Sequence, residues 1–303
     1  MPARRRCVCV VCACVAVMVL AVSQAQGLLY SIDKDPNHTL YGNLNQNNIP
    51  NGGQYMCGPT AAVNSFMYLQ RQYPGYFNSS LIGDANCDGT PDTYQDMIAT
   101  AQTLAGANYM NTKVNLAGAG STGTWDDMFI YGKYAYMEAM LPNKTVYGAE
   151  LSSTWGWGVG VRPADEIPPI LKPAWVQDNT TPTWNFLWDQ LSSCEDVEIL
   201  ITWSEEGGDQ GHYLTVKSFL WNDANGNMVI DPAENATIDY IDPATGAVGV
   251  SGIWQFAPGG VLDVAYGGNQ CQVTMIMSES VPEPATAVLL LVGGLMLLCR
   301  RRK

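Results

Sequence analysis

Positive charge is scarce in this 303-residue chain, and histidine is scarcer still. Seven of the 15 basic residues lie at the two ends, so residues 26–281 hold 8 basic and 27 acidic residues, a net charge of −19. A polyanion repels phosphate backbones, which excludes a nucleic-acid binder and favours divalent cations as partners. Charged residues make up only 14% of the chain and aromatic residues 10%. This composition argues against disorder and indicates a compact protein with much ordered loop.

The N-terminus has the composition of a secretory signal. Residues 1–6 are basic, residues 7–22 are apolar, and Ser23-Gln24-Ala25 is a small-x-small cleavage site. We therefore predict a signal peptide at 1–25 and a mature chain that starts at Gln26. A lipoprotein signal is the alternative, but no cysteine stands in a good lipobox. Residues 26–280 are long enough for one sizeable core, and we predict a single domain there.

The C-terminus has three parts in a fixed order: Val281-Pro282-Glu283-Pro284, an apolar stretch at 285–299, and a basic cluster at 300–303. The stretch is short for a permanent span, and the basic cluster would stop translocation. This order resembles the PEP-CTERM sorting signal. The resemblance implies a sorting segment at 281–303 with a short transmembrane segment at 285–299, and an exosortase as partner. It also implies the envelope, surface or extracellular matrix of a Gram-negative bacterium that makes exopolysaccharide. An ordinary membrane anchor is the alternative.

One cysteine stands where a reactive thiol is expected. Cys57 precedes a run with apolar residues at 62, 66, 69 and 73, which is helical spacing, so we predict a helix over 58–72. A thiol at a helix N-terminus faces unpaired N–H groups and the positive end of the helix dipole, and both lower its pKa. Cys57 is therefore our candidate nucleophile.

The remaining pattern predicts helices in the first half of the chain and strands in the second. Further helices are expected at 93–104, 125–141 and 185–193, and β-strands at 197–203, 211–221 and 236–243. Residues 143–183 are rich in Gly, Pro and Trp and indicate loops and short strands. Helices first and antiparallel strands later favour an α+β fold.

His212 is the better candidate for a base. Of the two histidines, His38 lies in polar loop sequence, whereas His212 begins a predicted strand. Asp242 ends the next predicted strand, which places a carboxylate where it can orient the imidazole and stabilise the imidazolium. Asp239 is a substitute, although it should point to the opposite face of that strand.

Three motifs resemble the papain-like cysteine peptidases, in particular the branch similar to bacteriocin-processing peptidases. They are Cys57-Gly58-Pro59-Thr60-Ala61-Ala62, Gly211-His212-Tyr213-Leu214-Thr215-Val216-Lys217 and Ile241-Asp242-Pro243. The resemblance implies a papain-like fold, with the cysteine helix in an N-terminal helical lobe and the histidine and aspartate on a C-terminal antiparallel sheet. It implies Cys57 as nucleophile, His212 as base and then acid, and Asp242 as orienting residue. The reaction would cleave a peptide or amide bond through a thioester, without a cofactor.

The oxyanion donor departs from the family pattern. Such enzymes carry a glutamine about six residues before the cysteine, and this chain has Asn51 there. Gln54 lies three residues before Cys57 and Gln46 eleven before it. We select Gln54 as the candidate donor.

Two acidic loops resemble the calcium loops of dockerin or thrombospondin-type repeats. The spacing is that of an EF-hand loop, with oxygen-bearing side chains at positions 1, 3, 5, 9 and 12. The first loop lacks an acid at position 12, where Gln95 stands, and the second has Met228 where a glycine belongs at position 6. A solvated Asx turn is the alternative for both. The candidate ligands of structural Ca²⁺ are Asp84, Asn86, Asp88 and Asp92 in the first loop, and Asp223, Asn225, Asn227, Asp231 and Glu234 in the second.

Two functions from different classes remain open. The first is an exported cysteine peptidase or amidase that acts on a peptide or protein. The second is a catalytically inactive, calcium-stabilised surface protein that binds polysaccharide or protein. The mature chain has four cysteines (57, 87, 194 and 271), an even number that two structural disulfides would also explain.

Overall fold

The computed structural model describes residues 27–113, 123–152, 157, 171–206, 208–255, 257 and 260–281. The predicted signal peptide at 1–25 and the predicted transmembrane segment at 285–299 lie outside these ranges. The helices within them are α1 (Cys57–Gln72), α2 (Pro74–Phe77), α3 (Tyr94–Ala105), α4 (Asp126–Met140) and α5 (Trp184–Ser192). The strands are β1 (Leu28–Asp33), β2 (Val146–Leu151), β3 (Val176–Asp178), β4 (Asp196–Glu205), β5 (Gly208–Asp223), β6 (Thr237–Asp242), β7 (Ala247–Gln255), β8 (Leu262–Tyr266) and β9 (Asn269–Ser280).

Helix α1 begins at Cys57 itself, one residue before the predicted start. Pro59 is tolerated in the first turn because the N–H that proline lacks would have no partner within the helix there. The helix ends before Pro74, as the sequence predicts. The other long helices also lie close to their predicted ranges, and α3 begins with a capping box between Thr93 and Asp96.

Six strands form a closed barrel. Strands β4, β5, β6, β7, β8 and β9 pair in that order, each antiparallel to the next, and β9 pairs back to β4. Strand β1 pairs with the C-terminal half of β5. Strand β2 pairs with the C-terminal half of β9, and β3 pairs with β2. Closure leaves these six strands without a free edge along the paired lengths.

A bulge interrupts the pairing of β5 with β6. The register shifts between Val216 and Ser218, so that Lys217 is an additional residue on β5. Val216 and Phe219, which lie on either side of the shift, both belong to the core of the barrel. The bulge therefore moves the side-chain alternation of β5 by one residue.

The apolar interior has two parts. One fills the barrel and includes Leu214, Tyr240 and Val264, together with Trp184 of α5. The other lies between the helices and the outer face of the sheet and includes Phe66 of α1 and Tyr213 of β5. Helix α1 is attached to β5 at one further point, because the Thr215 hydroxyl donates to the carbonyl oxygen of Ala61 at 3.0 Å.

A buried ion cluster joins α1 and α4 to the barrel. The Lys133 ammonium of α4 contacts the carboxylates of Glu198 and Glu279, the second at 2.6 Å. Ser65, two turns after Cys57, accepts a hydrogen bond from Lys133 at 3.0 Å and donates to Asp196. The ionic side chains of this cluster are fully buried. Such a cluster fixes how the helices dock on the sheet, because each charge would cost free energy without its partners.

Candidate functional site

Cys57 lies at the N-terminal end of α1 and is a free, buried thiol. Burial raises its pKa, but a hydrogen bond and charge interaction with His212, together with the backbone N–H groups of Tyr213 and Gly58, outweigh burial, so the pKa of Cys57 is lowered. These donors all favour the thiolate.

His212 is held between the thiol and a carboxylate. Its Nε2 lies 2.8 Å from Oδ1 of Asp242 and donates to it, which leaves Nδ1 to face the Cys57 sulphur. Burial lowers the pKa of His212, but the bonds to Asp242 and Cys57 outweigh burial and raise it to about 9. The geometry thus favours a thiolate–imidazolium pair over a neutral thiol and imidazole.

Asp242 ends β6 and is fixed through both carboxylate oxygens. Oδ1 accepts from His212 and from the backbone N–H of Ala244 at 2.8 Å, and Oδ2 accepts from the Tyr266 hydroxyl at 3.1 Å. Burial raises the pKa of Asp242, but these hydrogen bonds and the charge of His212 lower it further than burial raises it. The carboxylate is therefore ionised when it orients the imidazole.

Asp239 lies on the other face of β6, as expected from the alternation of the strand. Its carboxylate is 3.8 Å from the ammonium of Lys217, which also contacts Asp33 at 2.8 Å. Asp239 therefore forms an ion pair with a buried lysine and does not contact the imidazole of His212.

The two glutamines before Cys57 differ in burial. Gln54 is exposed, and its carbonyl oxygen accepts a hydrogen bond from the side-chain amide of Gln46 at 3.1 Å. Gln46 is the buried glutamine of this loop, and its backbone N–H donates to Pro243, the residue after Asp242, at 2.8 Å. Its Oε1 has no hydrogen-bond partner among the described residues. Gln46 thus connects the loop before Cys57 to the turn after Asp242.

The C-terminus of the chain carries a recognisable sorting signal. Residues 280–303 match the PEP-CTERM protein-sorting motif. The prediction of this signal is confirmed, and the motif marks the chain as an exported protein that an exosortase sorts through a membrane-anchored C-terminal tail. A comparison with curated proteins finds no relative of this chain. Among the described residues, no helix has both the length and the apolarity needed to cross a membrane.

The two acidic loops share one hydrogen-bond pattern. In the first, the carboxylate of Asp84 accepts from the N–H groups of Asp88 and Gly89, Asn86 accepts from Asp88, and Asp88 accepts from Thr90. Position 1 therefore accepts from positions 5 and 6, position 3 from position 5, and position 5 from position 7. The first three predicted ligands thus line one turn of backbone.

The second loop repeats these bonds. Asp223 accepts from the N–H groups of Asn227 and Met228, Asn225 accepts from Asn227, and Asn227 accepts from Val229. Position 6 is left-handed in both loops, at φ 90° for Gly89 and φ 59° for Met228. Met228 therefore adopts the conformation for which a glycine is usual at this position.

The later positions of the two loops differ. Glu234 accepts from the N–H of Ala224 at 3.1 Å, so position 12 of the second loop closes over its start. In the first loop, the Asp92 carboxylate accepts from Gln70 of α1 and from the Ser79 hydroxyl, so both of its oxygens already have donors outside the loop. Asp96, which the sequence analysis did not select, accepts from the N–H of Asn86 instead.

Three buried carboxylates outside the loops also lie close together. Asp196, Glu198 and Glu279 each have an oxygen within 4.8 Å of the others, the spacing of metal ligands. The Lys133 ammonium already provides the cation between Glu198 and Glu279. We therefore interpret this group as an ion-pair cluster.

The four described cysteines are all free thiols. Cys271 lies in the core of the barrel, whereas Cys87 and Cys194 are exposed. These four cysteines therefore do not form the two disulfides that their even number would allow. Cys57 is hydrogen-bonded to His212 instead.

Proposed function

We propose that the chain is an exported cysteine peptidase or amidase with a papain-like fold and a Cys57–His212–Asp242 triad. One observation supports this most strongly: a thiol at a helix N-terminus is hydrogen-bonded to an imidazole whose other nitrogen donates to a carboxylate at 2.8 Å. Nucleophile, base and orienting group in this order are the arrangement required for covalent acyl transfer.

The chemistry follows from the protonation states. The Cys57 thiolate attacks the carbonyl carbon of the substrate, and the new C–S bond gives a tetrahedral oxyanion. The His212 imidazolium gives its Nδ1 proton to the leaving amine as the C–N bond breaks, which leaves a thioester. Neutral His212 then takes a proton from water, the hydroxide attacks the thioester, and the acid product and the Cys57 thiolate are released. Asp242 stays ionised throughout and keeps Nε2 protonated.

We propose Gln46, in place of Gln54, as the side-chain donor to the oxyanion, together with the backbone N–H of Cys57. Burial and the position of Gln46 between the Cys57 loop and the Asp242 turn support this choice, and the exposure of Gln54 argues against the alternative. One N–H of the Gln46 side-chain amide donates to the Gln54 carbonyl oxygen, so the second N–H would serve the oxyanion. A buried amide donor stabilises the developing charge more strongly than an exposed one.

The setting follows from the sorting motif. An exosortase-sorted protein acts outside the cytoplasm, so the substrates we propose are peptides or proteins of the envelope or matrix, with exopolysaccharide as a neighbour. The strongly acidic body argues against nucleic acid as a ligand.

We also propose that the 84–92 and 223–234 loops bind structural Ca²⁺. In both loops the side-chain oxygens of positions 1, 3 and 5 gather around one turn of backbone, where they accept hydrogen bonds from its N–H groups. Oxygen ligands of this kind suit a hard cation. The second loop fits better, because its position 12 is an acid, Glu234, which accepts from the N–H of Ala224 at the start of the loop, whereas the first loop has Gln95 at position 12. The metal would stabilise the fold and take no part in catalysis.

Alkylation of Cys57 tests the catalytic proposal. The full chain is treated with iodoacetamide at pH 6.5, and the peptide that contains residue 57 is followed by mass spectrometry. We expect fast labelling that His212→Ala slows at least tenfold, and cleavage of a peptide library that Cys57→Ser abolishes. His38→Ala is the matched control and should change neither result. A Cys57 that reacts no faster than a free thiol, or at the same rate without His212, would contradict the triad and leave the non-catalytic binding protein as the better account.

A further inference from the structure

We propose that Tyr266 is a positioning residue of the triad, whose hydroxyl holds the Asp242 carboxylate and whose ring covers the imidazole of His212. This inference rests on the proposed Cys57–His212–Asp242 function. Tyr266 is far from all three in sequence, and no feature of the residues around it points to the site.

The first observation is the hydrogen bond. The Tyr266 hydroxyl donates to Oδ2 of Asp242 at 3.1 Å, while Oδ1 accepts from His212 and Ala244. Without this donor the carboxylate would be held through one oxygen only and could rotate about its Cβ–Cγ bond. Because Nε2 of His212 bonds to the same carboxylate, rotation would change the orientation of the imidazole toward Cys57.

The second observation is the position of the ring. The ring centroid of Tyr266 lies 5.0 Å from that of His212, with an angle of 31° between the planes. The ring centroids of Trp203 and Tyr240 lie 6.0 and 6.3 Å from that of Tyr266. This aromatic cover excludes water from the His212–Asp242 hydrogen bond on one side, which strengthens the bond.

The third observation is that a tight hairpin fixes Tyr266. It is the last residue of β8 and pairs with Asn269, the first residue of β9. Gly267 and Gly268 connect them, with φ of 58° and 85°, the two left-handed residues of a type I′ turn. Tyr266 therefore approaches Asp242 from a rigid part of the barrel.

The protonation state of Tyr266 suits this role. Burial and the neighbouring Asp242 carboxylate raise its pKa above the usual value. The phenol therefore remains a hydrogen-bond donor at neutral pH, where Asp242 is ionised.

The test uses the pH dependence of Cys57 alkylation in the full chain, measured with iodoacetamide as above. Tyr266→Phe keeps the ring and removes the hydroxyl. We expect the acid limb of the profile to move upward by about half to one pH unit, because an Asp242 carboxylate that can rotate stabilises the His212 imidazolium less, and this imidazolium lowers the pKa of Cys57. Tyr136→Phe is the matched control, since Tyr136 is buried and donates to the Leu81 carbonyl at 2.8 Å, away from the triad. Its profile should match that of the wild type.

A double-mutant cycle shows whether Tyr266 acts through Asp242. In an Asp242→Asn background, Tyr266→Phe should produce no further shift, whereas an equal shift in both backgrounds would overturn the proposal. A Tyr266→Phe profile identical to that of the wild type would overturn it as well, while wild-type alkylation that is fast at pH 6.5 would leave the triad itself standing. Slow wild-type alkylation would instead contradict the proposed function. Thermal unfolding of each variant confirms that the comparison is made between folded proteins.

Discussion

Asp242 and His212 share one face of the sheet because Lys217 is an additional residue in β5. Phe219 points into the barrel, and strict alternation from Phe219 would turn residue 212 outward. The bulge between Val216 and Ser218 moves the alternation by one residue, so His212 lies on the inner face with Leu214 and Val216. Asp242 lies on the inner face of β6 with Tyr240. The hydrogen bond between His212 and Asp242 thus depends on one bulge.

We expect Cys57 to react as a thiolate well below the pH at which ordinary thiols do. His212 lowers the pKa of Cys57, so the pair is formed once the pH exceeds that lowered value, and it is lost as the pH rises through the pKa of His212 at about 9. The ultraviolet absorbance of the thiolate measures this window in Cys57→Ser difference titrations. Cys271 provides the internal contrast, because burial raises the pKa of its thiol to about 11. A Cys57 signal that first appears above pH 8 would rule out the ion pair.

Substitution of Gln46 should separate the two candidate oxyanion donors. We expect Gln46→Ala to lower kcat/KM on a cleaved peptide by about 100-fold, the usual loss for one donor of an oxyanion hole. Gln54→Ala serves as the matched control and should have little effect, because the Gln54 side chain is exposed and Gln46 bonds only to its carbonyl oxygen. Steady-state kinetics of both variants give the answer. A larger loss in Gln54→Ala than in Gln46→Ala would restore Gln54 as the donor.

Calcium should raise the thermal stability of the chain. A ligand that binds only the folded state stabilises it by mass action, so we expect a higher Tm in excess CaCl₂ than in EDTA. Asp223→Ala should remove most of this difference, because Asp223 provides position 1 of the better-formed loop. Asp189→Ala, an exposed carboxylate on α5, is the control and should keep it. Equal melting temperatures of the wild type with and without calcium would count against both loops.

The buried ion cluster should make the free energy of unfolding fall as the pH rises. Burial and the neighbouring Glu198 raise the pKa of Glu279 well above its usual value, although Lys133 opposes the rise. The folded state therefore binds a proton that the unfolded state releases. This contribution is complete below the unfolded pKa of about 4.3 and is lost as the pH rises through the higher folded pKa. Glu279→Gln mimics the protonated acid and should flatten the decline in unfolding free energy as the pH rises above that unfolded pKa.

Lys133→Met provides the contrast to Glu279→Gln. It leaves the buried carboxylates of the cluster without their central cation, and we expect a loss of about 3–5 kcal/mol in unfolding free energy. Urea unfolding at several pH values measures both variants. A Lys133→Met protein as stable as the wild type would mean that the cluster does not hold the helices on the barrel.

The sequence predicts the helices and strands that have a regular spacing of apolar residues or a composition typical of their type. Helix α1 has an apolar stripe at helical spacing, and β5 and β6 are rich in β-branched and aromatic residues. Strands β7 to β9 were not predicted. Gly249 and Gly252 interrupt β7, and the second half of β9 is buried on both faces, so it does not alternate.

At the site, the sequence identifies the residues whose type is rare in the chain. Cys57 and His212 stand out because Cys57 is the one cysteine at a helix start among the described residues and the sequence has only two histidines. Gln46, Tyr266 and the Lys133 cluster reach their partners through long-range contacts, which no local pattern records. Distance along the chain favours Gln54 as the donor, whereas the structure buries Gln46 between two loops that the sequence does not show to be adjacent.

Strand β9 also determines which way the triad faces. Val273 of β9, Ile201 of β4 and His212 of β5 form one row across three strands. The sorting motif begins at residue 280, seven residues further along β9 and thus about 23 Å away at the rise of an extended strand. His212, which is hydrogen-bonded to Cys57, therefore lies toward the end of the barrel away from the residue at which the sorting motif begins.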